Sequence, residues 1–263
     1  WNGERWFKSA MVLARGESRA TRTLNARSQS GGSTSEALFF MLTVQNSNSL
    51  RTYRDEAGKD YVSVTSAIRH IGEVLGEEEF PGVPKALLRM HALEGEGCHA
   101  ACLGWLAVQA GLYPSFALPP KPDLHPDQAR WKNVVANALM GFQKWCDVAE
   151  PEVLAIEQPA AAPKYGFAGQ PDLKAIVRVR ESRAKAIVEL KFTAALTAAH
   201  EVQLCAYHLL DGFCDCRIGL LLRIDRTTGA VNEKFIHWQN HLHHQAAFLN
   251  SVGLLRWAQS IGR

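Results

Sequence analysis

Leu173-Lys174-Ala175-Ile176-Val177-Arg178-Val179 and Ala186-Ile187-Val188-Glu189-Leu190-Lys191-Phe192 are two β-rich runs joined by the charged segment Arg180 to Lys185. Branched and aromatic side chains favour the pleated strand, and a short polar segment between two such runs predicts an antiparallel hairpin. Residues two apart on a strand share a face, so Glu189 and Lys191 project together while Val188, Leu190 and Phe192 face the opposite side. A carboxylate and an ammonium on an otherwise apolar strand are costly to bury unless they pair or bind something. Asp172 stands at the start of the first run, and the antiparallel return brings it within about two residue positions of Lys191. Gly169-Gln170-Pro171, just ahead of it, predicts a tight turn that presents the acid at the strand mouth. An isolated Glu-x-Lys reads as an ion pair on a solvated sheet face. With Asp172 beside it, the set has the groups that hold a divalent cation and ready a water for attack on a phosphodiester.

Working outward, Leu42 to Tyr53 alternates as a strand, turns at Glu56-Ala57-Gly58-Lys59 and resumes at Tyr61-Val62-Ser63-Val64, a hairpin pattern. Ser63 or Thr65 is placed to cap a helix through Ala67, Ile68 and Ile71. After Pro81-Gly82-Val83-Pro84 a helix begins near Lys85, and Gly95 to Gly97 predict a break before a second helix from Cys98 to about Ala110. Pro114 to Pro126 must be a loop. Gln128 to Val148 repeats apolar residues at helical spacing, Val153 to Ile156 is a short strand, and Pro159 to Pro163 reads as a loop. A helix over Ala194 to Leu210, a hairpin of Arg217–Asp225 with Ala230–Trp238, and a helix from about His241 to Ser260 follow. The expected class is α/β (α+β), a central mixed β-sheet flanked by helices.

The chain has 263 residues, 47% hydrophobic and 21% charged, an ordinary balance for one globular domain with appendages. No apolar run approaches the ~20 residues of a membrane helix, so no membrane partner is expected. The net charge of +3 is unevenly spread: residues 1–40 hold six of the 29 basic residues and three of the 26 acidic ones, leaving 23 of each in the body. A DNA-binding face on that body must come from local clustering. Residues 1–40 read as a disordered basic extension. Arg-rich Met11 to Ser30 also has the composition of an organelle transit peptide, while Met41 offers a natural start directly before structured sequence. Six cysteines without C-x-x-C spacing point to a reducing compartment. A metal site at Cys98/Cys102 or Cys214/Cys216 lacks a completed tetrahedral set. His237, His241, His243 and His244 likewise have no matching acid or cysteine nearby and read as an exposed helix start.

The order Gly169-Gln170-Pro171-Asp172, Glu189-Leu190-Lys191 and Gln203-Leu204-Cys205-Ala206-Tyr207 resembles the PD-(D/E)XK nuclease superfamily, in particular its RecB-like and phage-type exonuclease branch. Upstream, Glu94 to His99 is similar to that branch's G-x-x-H helix start, and Tyr61 to Thr65 to its P-S-V-T segment, with Val62 where proline is usual. The resemblance spans about residues 50–240 and implies a restriction-endonuclease-like core within a single nuclease domain over 41–263. It implies that Asp172, Glu189, His99 and the Leu190 carbonyl bind Mg²⁺ or Mn²⁺, with Lys191 at the attacking water. Gln203 and Tyr207 would back the site or touch DNA. Glu157, after the Val153–Ile156 strand, would add a further acid that binds a second metal or orients His99.

The expected function is therefore a metal-dependent deoxyribonuclease, an exonuclease of recombination, repair or phage DNA processing, acting in the cytoplasm of a bacterium or phage-infected host. Its partners would be DNA and a recombinase, a single-strand-binding protein or a helicase. No G-x-x-x-x-G-K-[ST] loop occurs, so a motor would be a separate chain. The alternatives are an endonuclease or helicase-associated nuclease subunit, and a non-catalytic nucleic-acid-binding or assembly module of the same fold.

Overall fold

The computed structural model describes residues 42–47, 50–74 and 82–261; the extension expected over 1–40 and the start considered at Met41 lie outside them. In chain order, β1 (Leu42–Ser47), β2 (Leu50–Asp55) and β3 (Asp60–Ser63) lead into α1 (Val64–Val74). Helices α2 (Lys85–Gln109) and α3 (Gln128–Ala149) follow. Strands β4 (Glu152–Ile156), β5 (Ala160–Ala162), β6 (Phe167–Gly169), β7 (Leu173–Val179) and β8 (Ser182–Lys191) run on to α4 (Ala198–Tyr207). Strands β9 (Ile218–Ile224) and β10 (Val231–Ile236), a 3-10 turn at Trp238–His241 and α5 (Leu242–Ser260) close the described chain. Among the described residues no helix is long and apolar enough to cross a membrane.

The α/β class is as the patterning predicts, but the strands divide between two mixed five-stranded sheets instead of one central sheet. Their orders are β1-β2-β3-β6-β5 and β10-β9-β8-β7-β4. Each contains one parallel pair, β3 with β6 and β8 with β9. Strand β8 is the middle strand of the second sheet, and Ala186 to Leu190 are all buried, as happens where both faces are covered. On one face Val188, Leu190 and Phe192 join Leu173 and Leu220 against Cys98, Cys102, Trp131 and Phe142 of α2 and α3. On the other, Ile187 and Leu221 meet Leu204 of α4, Phe248 of α5 and, from the first sheet, Val62 and Phe167. The second core therefore belongs to both sheets.

Three local expectations are corrected. The strand read over Leu42 to Tyr53 is an antiparallel pair, β1 with β2, in which Leu42 lies opposite Asp55 and Ser47 opposite Leu50. Within the loop expected over Pro159 to Pro163, Ala160–Ala162 forms an edge strand on β6; proline at its flanks removes no hydrogen bond from a sheet interior. The break expected at Gly95–Gly97 does not occur, since α2 runs unbroken from Lys85 to Gln109. A helix tolerates a glycine at about 1 kcal/mol. Gly97 also has a packing reason: a Cβ there would lie 2.3 Å from the Trp131 ring, so its absence lets α3 close on α2.

Glu94, 0% exposed, ties four segments together. It accepts from Arg130 of α3 at 2.5 Å and forms an ion pair with Arg226 of the β9–β10 turn at 3.2 Å, and it contacts His125 at the end of the proline-rich loop and His91 one turn back on α2. Burial alone would push its pKa up, but the hydrogen bonds from Arg130, His91 and His125 outweigh this and hold it down at about 2. The loop is pinned further by Trp131 Nε1 donating to the Pro119 carbonyl at 3.1 Å and by Lys121 donating to the His125 carbonyl at 2.7 Å.

Two glycines in one helix are expected to respond in opposite directions. Gly95→Ala adds a methyl with nothing within 4 Å and should stabilise the protein by about 0.5–1 kcal/mol through helix propensity. Gly97→Ala must displace the Trp131 ring and should destabilise by about 1–3 kcal/mol. Urea unfolding of the two variants beside the parent protein measures both; a Gly97→Ala variant as stable as Gly95→Ala would contradict the packing account.

Candidate active site at the mouth of strands β7 and β8

The antiparallel register pairs Leu173 with Val188, which sets Asp172 opposite Glu189 one step beyond the ladder. Asp172 Oδ2 accepts the Leu190 N–H at 2.8 Å, and the Asp172 N–H makes a long bond of 3.5 Å to Glu189 Oε2. The two acids are thus fixed to each other through backbone. Arg180, with φ of 56°, occupies the left-handed region in the β7–β8 turn, so the connection is tighter than the Arg180–Lys185 segment predicts.

Glu189 is 3% exposed. Its Oε1 accepts from Lys191 Nζ at 2.9 Å and from Gln203 Nε2 at 3.0 Å. Gln203 Oε1 in turn accepts from Lys191 at 2.8 Å, and its amide also donates to the Tyr207 hydroxyl at 2.9 Å. Gln203 and Tyr207 share one face of α4 because they are four apart, as the sequence implies. The helix is shorter than expected, beginning at Ala198 after a Thr197 N-cap. Gly169 is the last residue of β6, without a positive φ, and so does not make the tight turn its sequence suggests. Its role is space: a Cβ would stand 2.8 Å from the Tyr207 ring and 2.9 Å from Val64.

His99 reaches the pair from α2, with Nδ1 3.5 Å from Asp172 Oδ2 and its ring edge-on to Phe192 at 4.9 Å. Burial and then the Lys191 charge lower its pKa to about 4, so it is neutral near pH 7. Glu189 moves the other way: burial and the Asp172 charge raise it to about 7, against the opposing pull of Lys191. Tyr207 is pushed well above its ordinary value by burial and by Glu189, and stays a phenol. Glu157 lies at the end of β4, exposed and at φ 46°, and its N–H donates to the Asp172 carbonyl at 2.9 Å. Its charge is felt at His99. Asp172, Glu189, Lys191, His99, Gln203 and Tyr207 are thus joined through their side chains, while Leu190 and Glu157 are joined through backbone N–H groups.

Sequence reading missed three neighbours. Phe192 forms the wall against which His99 rests. Arg223, paired with Lys191 across β8 and β9, holds the following loop by donating to the Ala194 carbonyl at 2.8 Å. His200, at the start of α4, has its pKa lowered to about 4 by burial and then by the Lys191 charge. The α4 face carrying Gln203 and Tyr207 contains His200 at three residues before Gln203, which is the one signal that could have found it.

Other clusters take structural roles. Cys98, Cys102, Cys146, Cys205 and Cys216 are buried and Cys214 is exposed, all as free thiols. Burial pushes Cys98, Cys146 and Cys216 up to about 12, where a thiol packs as a small hydrophobe. His241 contacts Glu201 at 3.4 Å, and its ring lies 5.3 Å from that of His244. His237 and His243 are exposed, whereas His241 and His244 are half-buried, so the helix start is less exposed than expected.

Among the described residues no group of three or more His, Cys, Asp and Glu side chains stands arranged to hold a metal ion. The donor chemistry at Asp172, Glu189 and His99 nevertheless suits a hard divalent cation, with two carboxylates that repel one another and a neutral imidazole at their side. No family model and no curated protein matches this chain. Among solved structures, that of SSO0001 matches 70% of this chain and 82% of its own, at 11% identity and a TM-score of 0.27, a likeness too low to carry an argument.

The Glu189 shift has a measurable sign. The folded protein keeps this proton from the ordinary 4.5 up to about 7, so the group's contribution to stability is full below pH 4.5 and is lost as pH rises through 7. In metal-free buffer, Glu189→Gln should remove that part of the fall in unfolding free energy between pH 5 and about 8; equal slopes for parent and variant would refute it. Gly169→Ala should cost about 1–3 kcal/mol by driving Tyr207 or Val64 off its position, read by the same denaturant titration.

Proposed function

We propose that this protein is a metal-dependent deoxyribonuclease of the PD-(D/E)XK type, working as an exonuclease. The observation that supports it is the convergence of Asp172, Glu189 and Lys191 at the ends of two adjacent strands, with His99 on one side and the Gln203–Tyr207 face on the other. The exonuclease assignment rests on the order of the motifs along the chain.

Asp172, Glu189, His99 and the Leu190 carbonyl would hold Mg²⁺ or Mn²⁺. The ion would polarise the scissile phosphate and offset the charge that develops on it. His99, neutral near pH 7, keeps a lone pair for that task. Lys191, held between Glu189 and Gln203, would favour the hydroxide form of a nearby water through its ammonium group. Gln203 fixes that ammonium by accepting one of its protons, and Tyr207 fixes Gln203. Glu157 is placed to act on His99 by charge alone. DNA is the partner this chemistry calls for, and phosphate contacts would come from local groups around the mouth, given the neutral body.

The test is digestion of end-labelled single- and double-stranded linear DNA with Mg²⁺ or Mn²⁺, beside a circular control. Linear substrates should be degraded and circles spared, while Lys191→Ala should slow cutting by about a hundredfold or more without loss of folded structure by circular dichroism. Cutting that survives chelation, or a fully active Lys191→Ala protein, would sink the proposal; cleavage of circles would make it an endonuclease.

A further inference from the structure

Resting on the nuclease reading, we infer that His200 is a substrate-binding residue, donating its Nε2–H to a non-bridging oxygen of a backbone phosphate next to the one that is cut. Position comes first. His200 precedes Gln203 by three and Tyr207 by seven residues, so all three lie along one stripe of α4. Gln203 is bonded to Lys191, which brings this stripe to the site, and His200 is half-buried one turn closer to the start of the helix.

The imidazole's chemistry is fixed by its other nitrogen. Nδ1 accepts the Thr197 N–H at 3.1 Å. A backbone amide can only donate, so Nδ1 carries no proton and the ring is the neutral tautomer with its hydrogen on Nε2. Burial and the neighbouring Lys191 charge lower the pKa to about 4, which keeps that tautomer near neutral pH. Among the described residues no hydrogen-bond partner is found for Nε2. The side chain is therefore a donor locked in one tautomer, with its acceptor side used by the protein and no partner found for its donor side among the described residues. An anionic oxygen is the partner that gains most from such a donor. A neutral donor also adds no positive charge next to Lys191 and the carboxylates.

The plain alternative is that His200 serves only as the third-position acceptor of a capping box at the start of α4. Glutamine is a good residue for that role, so His200→Gln separates the two. The cap is kept by its Oε1, but the ring-fixed imidazole Nε2–H is exchanged for an amide N–H on a flexible side chain, which holds a phosphate less well. The experiment measures binding of a fluorescein-labelled DNA oligonucleotide by anisotropy in chelator, with thermal melting of parent, His200→Gln and His200→Ala, and cutting of the same DNA with Mg²⁺. If His200 contacts phosphate, both variants bind about tenfold more weakly and show a raised KM, and His200→Gln melts with the parent. If it is only a cap, His200→Gln binds and melts as the parent and His200→Ala loses melting temperature alone, which overturns the inference while leaving the nuclease reading standing. A parent protein that neither binds nor cuts DNA overturns both together.

Discussion

A glutamate whose side chain is buried in the middle of an apolar sheet cannot stand alone, and the arrangement around Glu189 follows from satisfying it. Strand β8 is covered on both faces because α2 and α3 pack one side and α4 with α5 the other. The last buried position but one on that strand is a carboxylate, Glu189, followed by the buried Leu190. Lys191, two residues on and therefore on the same face, supplies one partner, and Gln203 of α4 supplies the second. Gln203 can reach only if α4 lies flat on this part of the sheet, which Leu204, Cys205 and Tyr207 secure by burial in the second core.

That core also explains how the first sheet bears on a site built from the second. Tyr207 holds Gln203 and is itself seated on β6, where Gly169 leaves room for its ring beside Val64 at the start of α1. A chain of contacts runs from β6 through Tyr207 and Gln203 to Lys191. The segment between Gly169 and Asp172 carries the chain from one sheet directly to the other, so the ring seat and the acid are three residues apart. Glycine at this position serves the approach of two surfaces, and a change in either sheet would be felt at the ammonium.

What could be read from the sequence was local. The period of two along Leu173–Val179 and Ala186–Phe192 gave the hairpin and the shared face of Glu189 and Lys191, and the spacing of four in Gln203 and Tyr207 gave their common helix face. Contacts distant in sequence were not legible. Gly97 looked like a helix breaker because its partner, Trp131, lies 34 positions away. Gly169 looked like a turn residue for the same reason. The short β5 strand was hidden by its flanking prolines, and the division into two sheets depends on the β3–β6 pairing, which joins segments about a hundred residues apart. Glu94 passed as part of a motif, whereas Arg130 and Arg226, its decisive partners, are remote in the chain.

Glu94 and Glu189 make an internal comparison. Both are buried glutamates with hydrogen-bonded partners, yet one is held at about 2 and the other raised to about 7. Glu94 has two arginines and two histidines around a single carboxylate, so positive charge exceeds negative and the acid stays ionised. Glu189 has one lysine, Lys191, and faces a second acid, Asp172, and the two histidines near that lysine are both held neutral by burial and by its charge. Side chains therefore over-compensate the first acid and under-compensate the second. A stability role alone favours the Glu94 arrangement, because an unmatched buried acid costs folding free energy. An acid kept short of positive charge in a half-open site is what a cation-dependent reaction needs, since the cation's binding then relieves a repulsion already present. The contrast between these two glutamates supports reading Asp172 and Glu189 as a place for metal-assisted chemistry and Glu94 as a tie that holds the helices around it.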